Sequence, residues 1–338
     1  MKPEGFASNT TDISRQREDF YRAVIRGLAH RPARIEPKYF YDEIGSRLFE
    51  RICDTPEYYL TRTERLILQN NSSAIAAAVG KDCTVIEPGA GNAQKIRLLL
   101  NDLRPASYIP IDISAQHLQT TAESLRKEFP WLEVKPYCGD FADNFDLRDF
   151  SSKKRRLIFF PGSTIGNFEP QDLSGFLKRV LRLLQPDGLF LVGIDLIKDS
   201  ALLNAAYNDA QGITAAFNLN LLHRMQRELG ACVKPEQFRH RASYVAAEKR
   251  VEMHLVSLCD QEINLAGEDY RFCHGESIHT ENSYKYDPVD FRQLVQEHGF
   301  HVRATWSDPQ HCFSLFLLST YRRSLIQAYQ STIRRTKQ

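Results

Sequence analysis

Between Val85 and Lys95 the chain reads Val-Ile-Glu-Pro-Gly-Ala-Gly-Asn-Ala-Gln-Lys, an apolar strand running into a glycine turn and then a helix. Gly89 and Gly91, one residue apart, let the main chain turn sharply and let a ligand reach the backbone without meeting a Cβ. A second apolar run, Tyr108-Ile109-Pro110-Ile111, ends in Asp112. That carboxylate lies roughly 20 residues past the glycines, where the second strand of such a unit meets a ribose. The spacing therefore predicts a nucleotide-type cofactor site.

The third glycine of Gly-x-Gly-x-x-Gly is missing, and Gln94 stands in its place. A helix packed tightly under a pyrophosphate is then disfavoured, and a ligand without phosphates such as S-adenosylmethionine fits better than a nicotinamide dinucleotide. After Leu132-Glu133-Val134, the run Gly139-Asp140-Phe141 offers a polar and aromatic pair suited to an adenine amino group and its ring face. The same three residues also read as an ordinary turn with a capping Asp.

The elements that must position these residues alternate. Runs 84–87, 107–111, 132–136, 157–161 and 189–194 read as strands, with helices such as 173–184 between them, which predicts an α/β parallel sheet wound with helices on both faces. Gln185-Pro186-Asp187-Gly188 is a helix stop and turn. Near the end, a helix over 289–297 stops at Gly299, and strands follow over 301–306 and 313–319. Such a closing pair is the finish of a Rossmann-like class I methyltransferase sheet and not of a dinucleotide domain. The segment 197–286 interrupts the sheet. The N-terminal part holds an amphipathic helix, with Phe20, Val24 and Leu28 on one face, and an aromatic-rich stretch over 37–64. The expected division is a discontinuous substrate-binding domain, 1–60 plus 197–286, and a cofactor domain, 61–196 plus 287–338.

At 338 residues, 42% hydrophobic and 25% charged, the chain has room for one large core or two smaller ones. A net charge of +2 argues against a nucleic-acid binder. The basic run Lys153-Lys154-Arg155-Arg156 reads as a solvated loop. Seven cysteines without a Cys-x-x-Cys pair predict reduced thiols and no metal site. With no apolar run of membrane-spanning length and a polar N-terminus, the expected location is cytoplasmic.

Just past the 157–161 strand, Gly162-Ser163-Thr164-Ile165-Gly166-Asn167 resembles the histidine-specific Nα-methyltransferases of ergothioneine biosynthesis. Phe40-Tyr41-Asp42, Gly45-Ser46, Leu48-Phe49, Pro56-Glu57-Tyr58-Tyr59 and Thr61-Arg62-Thr63-Glu64 resemble that family's N-terminal segment. Tyr207-Asn208-Asp209-Ala210 through Phe217-Asn218 resembles its insert, so the likeness covers nearly the whole chain. It implies three successive methyl transfers from S-adenosylmethionine to the α-amino nitrogen of free L-histidine, giving hercynine, with no obligate protein partner. It further implies Tyr41 and Asn167 as the catalytic pair. Asn167 and Tyr207 would serve the substrate's carboxylate and amine, with Tyr41 near the amine, Gly162 and Thr214 would also bind substrate, and Phe49 and Tyr58 would be walls that also pack. Glu281 and Ser283 would meet the imidazole, with Met253 beside the ring. Glu87, Gly89, Gly91, Lys95, Asp112, Asp140 and Phe141 would hold the cofactor. Pro88 and Asn92 depart from the Glu-Leu-Gly-Ser-Gly-Ser-Ser loop associated with the family. The rivals are the same chemistry on another amino acid such as tryptophan, and a non-catalytic S-adenosylmethionine-binding regulator.

Overall fold

The computed structural model describes residues 10–139, 141 and 154–320, with side chains from Gln16 onward. The chain forms two compact units, Met1–Tyr59 with Asp199–Ser283, and Leu60–Lys198 with Tyr284–Gln338. The crossings at 198/199 and 283/284 lie slightly inside the interruption expected over 197–286.

The second unit is built on a sheet in the order Phe300–Ser307, Phe313–Thr320, Leu189–Asp195, Arg156–Phe160, Thr84–Pro88, Ser107–Asp112, Glu133–Val134. Thr84–Pro88 and Leu189–Asp195 are buried at every position, as central strands covered on both faces must be. Parallel pairing sets Ile86 against both Ile109 and Ile158, and Phe160 against Val192. Phe313–Thr320 runs antiparallel to Leu189–Asp195, with Phe300–Ser307 antiparallel outside it, which is the closing pair read from the sequence. Successive side chains alternate between two apolar clusters. Val85, Tyr108, Phe159 and Leu315 join Leu68 and Leu99 in one, while Ile86, Ile109, Ile158 and Phe316 join Phe176 and Phe190 in the other.

One strand differs from expectation. The 132–136 run splits into Glu133–Val134, paired with Ser107 and Tyr108, and Tyr137–Cys138, paired with Ile111 and Asp112. Pro136 lies between them and has no N–H to donate to the ladder.

The first unit carries a sheet in the order Ala33–Arg34, Ser277–Tyr284, Arg250–Ser257, Phe238–Val245, and the hairpin Gln261–Leu265 with Glu268–Phe272. Its long helix, Ile213–Leu229, runs between Gly212 and Gly230, both at positive φ. Asp42 ties the N-terminal segment to that helix. Its carboxylate accepts from the Gly45 N–H at 2.7 Å, capping Glu43–Cys53, and from Asn220 Nδ2 at 2.8 Å, and it pairs with Arg227. A Cβ on Gly45 would stand 1.8 Å from the Phe40 carbonyl oxygen, so only glycine fits there. Among the described residues no helix is long and apolar enough to cross a membrane.

Candidate active site

In the unit built on the parallel sheet, the ends of three strands and the glycine turn are stitched together by the main chain. Gly89 (φ 66°) and Gly91 (φ 51°) take left-handed conformations, and no atom lies within 4 Å of where a Cβ would stand on either. Asp112 Oδ2 accepts from Gly91 N–H at 3.0 Å, and Oδ1 accepts from Ser114 N–H at 3.0 Å. The Asp112 carbonyl accepts from Gly139 N–H at 3.0 Å. The carboxylate expected at a ribose thus also shapes the turn, with lone pairs remaining for a ligand.

Glu87 ends its strand fully buried and accepts from the Tyr108 hydroxyl at 2.6 Å. Burial pushes its carboxyl up to about 8, with the Tyr108 hydrogen bond and Lys95 acting in the opposite direction. Phe141 is buried with its ring edge-on to Phe176 at 5.8 Å, while Asp140 lies outside the described residues.

Lys95, in the first turn of Gln94–Leu103, pairs with Glu64 Oε2 at 2.6 Å. Glu64 has no solvent exposure, and its two oxygens also accept from Gly162 N–H at 3.0 and 2.9 Å. One carboxylate therefore links the helix after the glycine turn to the loop that leads to Asn167. No role had been given to Glu64 from the sequence. A signal was present: Leu60, Glu64, Ile67, Leu68 and Ile75 fall on one face of the helix through this region, and a charge in an apolar stripe needs a partner.

Gly162 (φ 84°) and Ser163 (φ 58°) turn the chain into a short 3-10 helix, Thr164–Asn167. Ser163 Oγ accepts from Asp195 N–H at 2.9 Å. Asp195 is itself buried with Lys285 at 2.9 Å and Lys198 at 2.6 Å. Burial lowers the Lys198 ammonium, and Asp195 opposes that shift. Asn167 is half-buried, and its side-chain amide makes no hydrogen bond among the described residues.

In the other unit, Tyr41, Phe49, Tyr58, Tyr207 and Ser283 form a connected group. Rings of Tyr41 and Phe49 meet edge-on at 5.5 Å, Phe49 and Tyr58 at 6.3 Å, and Tyr58 and Tyr207 at 6.1 Å. Phe217, which the sequence reading quoted but gave no role, touches Tyr41 at 5.7 Å and Phe49 at 6.0 Å. Tyr58 is buried, and loss of water pushes its phenol well above its ordinary range, with Tyr207, Cys53, Tyr41 and Glu281 adding to the shift. The Tyr207 and Ser283 hydroxyls share a hydrogen bond of 2.8 Å. Glu281, Ser283 and Met253 are buried. Thr214 is buried, and its backbone N–H donates to Asp209 Oδ1 at 2.7 Å.

A family model described as histidine-specific methyltransferase, SAM-dependent, matches residues 20–320. The chain is 40% identical over 306 residues to a histidine N-alpha-methyltransferase of Mycolicibacterium smegmatis, covering 89% of this chain and 94% of that protein. It is 37% identical over 302 residues to the protein of the same name from Mycobacterium tuberculosis, covering 88% and 93%. Ergothioneine biosynthesis protein 1 of Neurospora crassa is 30% identical over 300 residues, 87% of this chain and 34% of that longer protein.

Proposed function

This chain belongs to the histidine-specific, S-adenosylmethionine-dependent methyltransferases, and we propose that it transfers three methyl groups in succession to the α-amino nitrogen of L-histidine, giving hercynine. The observation that carries this reading is the grouping, in one compact unit, of a buried carboxylate, a hydroxyl pair and a run of aromatic rings. That set suits a small, polar, aromatic amino acid whose amine becomes a cation.

The residues of the glycine turn fit S-adenosylmethionine. The left-handed glycines leave open space at the backbone, and Asp112 ends its strand with lone pairs free for ribose hydroxyls. When bound, this cofactor would supply a sulfonium methyl for in-line attack by an uncharged amine, with S-adenosylhomocysteine as the leaving group. Glu87, Gly89, Gly91, Lys95, Asp112, Asp140 and Phe141 are assigned to hold it, with Lys95 paired to Glu64. The unit of Leu60–Lys198 with Tyr284–Gln338 is the cofactor-binding one in this reading, and Met1–Tyr59 with Asp199–Ser283 is the substrate-binding one.

Asn167, its amide without a hydrogen-bond partner among the described residues, is assigned to the substrate carboxylate, and Gly162 to the substrate as well. Tyr207 and Thr214 are assigned to the substrate too. Glu281 accepts one imidazole N–H, Ser283 pairs with the other ring nitrogen, and Met253 lies against the ring. Tyr41 serves the amine. Much of the rate comes from aiming the nitrogen lone pair.

The third transfer constrains this surface. A neutral dimethylated amine has no N–H, and the product is a quaternary cation. Aromatic faces from Tyr41, Phe49 and Tyr58 tolerate every intermediate, at about 0.5–2 kcal/mol each where they face the charge. A cytoplasmic location and independence from nucleic acid or an obligate protein partner belong to the same reading.

The test is mass spectrometry of the protein incubated with S-adenosylmethionine and each free amino acid in turn. Trimethylation of histidine alone is the expected result. Trimethylation of another amino acid would keep the chemistry and overturn the assignments of Glu281 and Ser283; no methylation at all would leave a binding role.

A further inference from the structure

We propose that His240 is a positioning residue for Tyr207, holding its backbone so that its hydroxyl reaches Ser283 and the substrate; this rests on Tyr207 belonging to the histidine site. Tyr207 sits just past the short helix Ser200–Ala206, where the last carbonyls have no intrahelical partner. Its own carbonyl lies 2.9 Å from His240 Nε2. The neighbouring residues are pinned to the same strand, Phe238–Val245. Asn204 Oδ1 accepts from Tyr244 N–H at 2.7 Å, and Asn208 Nδ2 donates to the Ala242 carbonyl at 3.1 Å. Alternate strand residues thus grip one helix end, and His240 is the one that holds Tyr207.

The imidazole is fixed in a single tautomer by a chain of constraints. Asn218, fully buried on the long helix, has Nδ2 at 3.1 Å from the His254 carbonyl and at 2.9 Å from His240 Nδ1. A carbonyl accepts and cannot donate, so the amide must turn its N–H groups toward both neighbours. His240 Nδ1 is then the acceptor, and the ring proton is on Nε2, where it donates to Tyr207. Asn218 Oδ1 is left buried with no partner among the described residues, so the amide orientation is kept at a cost. Burial lowers the His240 ring below its ordinary range and keeps it neutral, with the Tyr207 carbonyl and Asp209 opposing the shift.

The experiment compares His240→Phe, which keeps a ring but removes the donor, with His240→Gln, whose terminal amide N–H can reach the Tyr207 carbonyl. His240→Phe should raise the KM for histidine about tenfold, the scale of one buried hydrogen bond. It should leave the S-adenosylmethionine dissociation constant unchanged, and His240→Gln should restore most of the loss. Equal impairment of the two variants, parallel loss of cofactor affinity, or wild-type KM in His240→Phe would each overturn the assignment. Long-range proton–nitrogen NMR of the wild-type protein needs no variant to fold: a neutral Nε2–H ring is expected, and an Nδ1–H ring refutes the network. Wild-type turnover of histidine in the same assay separates the two readings. Its absence overturns the histidine function and the positioning role with it, whereas turnover that His240→Phe leaves untouched overturns only the latter.

Discussion

In the sheet-built unit the functional loops are held by buried charge: Lys95 on Glu64, and Lys198 and Lys285 on Asp195. In the other unit the corresponding work is done by neutral groups, Tyr58, Tyr207 and Ser283 among aromatic rings, with Asn218 and His240 behind them. Glu281, the buried Asp209 and the Asp42–Arg227 pair are exceptions there. The contrast follows the ligands proposed for each. A cofactor that always arrives as the same cation suits fixed charges and backbone donors. An amine that begins with N–H bonds, loses them and ends as a quaternary ion suits surfaces that ask for no particular hydrogen bond.

The severest way to break the charged side of this comparison is Glu64→Ala, which strands the Lys95 ammonium and the Gly162 N–H. Removing one partner of such a pair costs about 3–5 kcal/mol. Urea unfolding should show the loss, and cofactor affinity should fall with it; a variant of wild-type stability and affinity would mean that the charges are ornamental. On the neutral side, Glu281→Ala should lower kcat/KM for histidine by about 1–3 kcal/mol, through an unpaired ring N–H, and spare cofactor binding.

The pH dependence sharpens the contrast. Glu87 has its folded value raised to about 8, above that of an exposed carboxyl. The stability belonging to its protonated form is complete at acid pH and is lost as pH rises toward that value, by up to about 1.4 kcal/mol per pH unit. Unfolding curves across that range should slope downward in the wild-type protein and less so in Glu87→Gln. The smallest effect is expected for the Tyr207 and Ser283 hydroxyls. A double-mutant cycle with Tyr207→Phe and Ser283→Ala should return about 1 kcal/mol of interaction, and additive single effects would remove the pair from the account.

The fold was legible where one local pattern determined it. Unbroken apolar runs gave the central strands, and the glycine spacing gave the turn. The closing strands were marked by Gly299 and by Ser307-Asp308-Pro309. Pro136 could have been read as a break in its strand, because a missing N–H is a local fact. The site was legible in part. Tyr41, Phe49, Tyr58 and Tyr207 do come together in one unit, but the reading that gathered them was likeness to a family, and spacing did not. Glu64, Phe217, Asn218 and His240 escaped because their significance lies in partners far along the chain. A glutamate in a helix announces nothing until Gly162 and Lys95 are placed beside it.

The unit formed by Met1–Tyr59 and Asp199–Ser283 is discontinuous, and Asp42 on the first segment depends on Asn220 and Arg227 of the second. A ribosome delivers the chain from its N-terminus, so the aromatic stretch emerges long before the helix that covers Phe40 and Phe49. Until then those rings have only water or each other. During synthesis the first segment of this unit is thus sheltered only once its second segment has emerged, and a nascent chain that stalls before the Ile213–Leu229 helix would leave Phe40 and Phe49 without that cover.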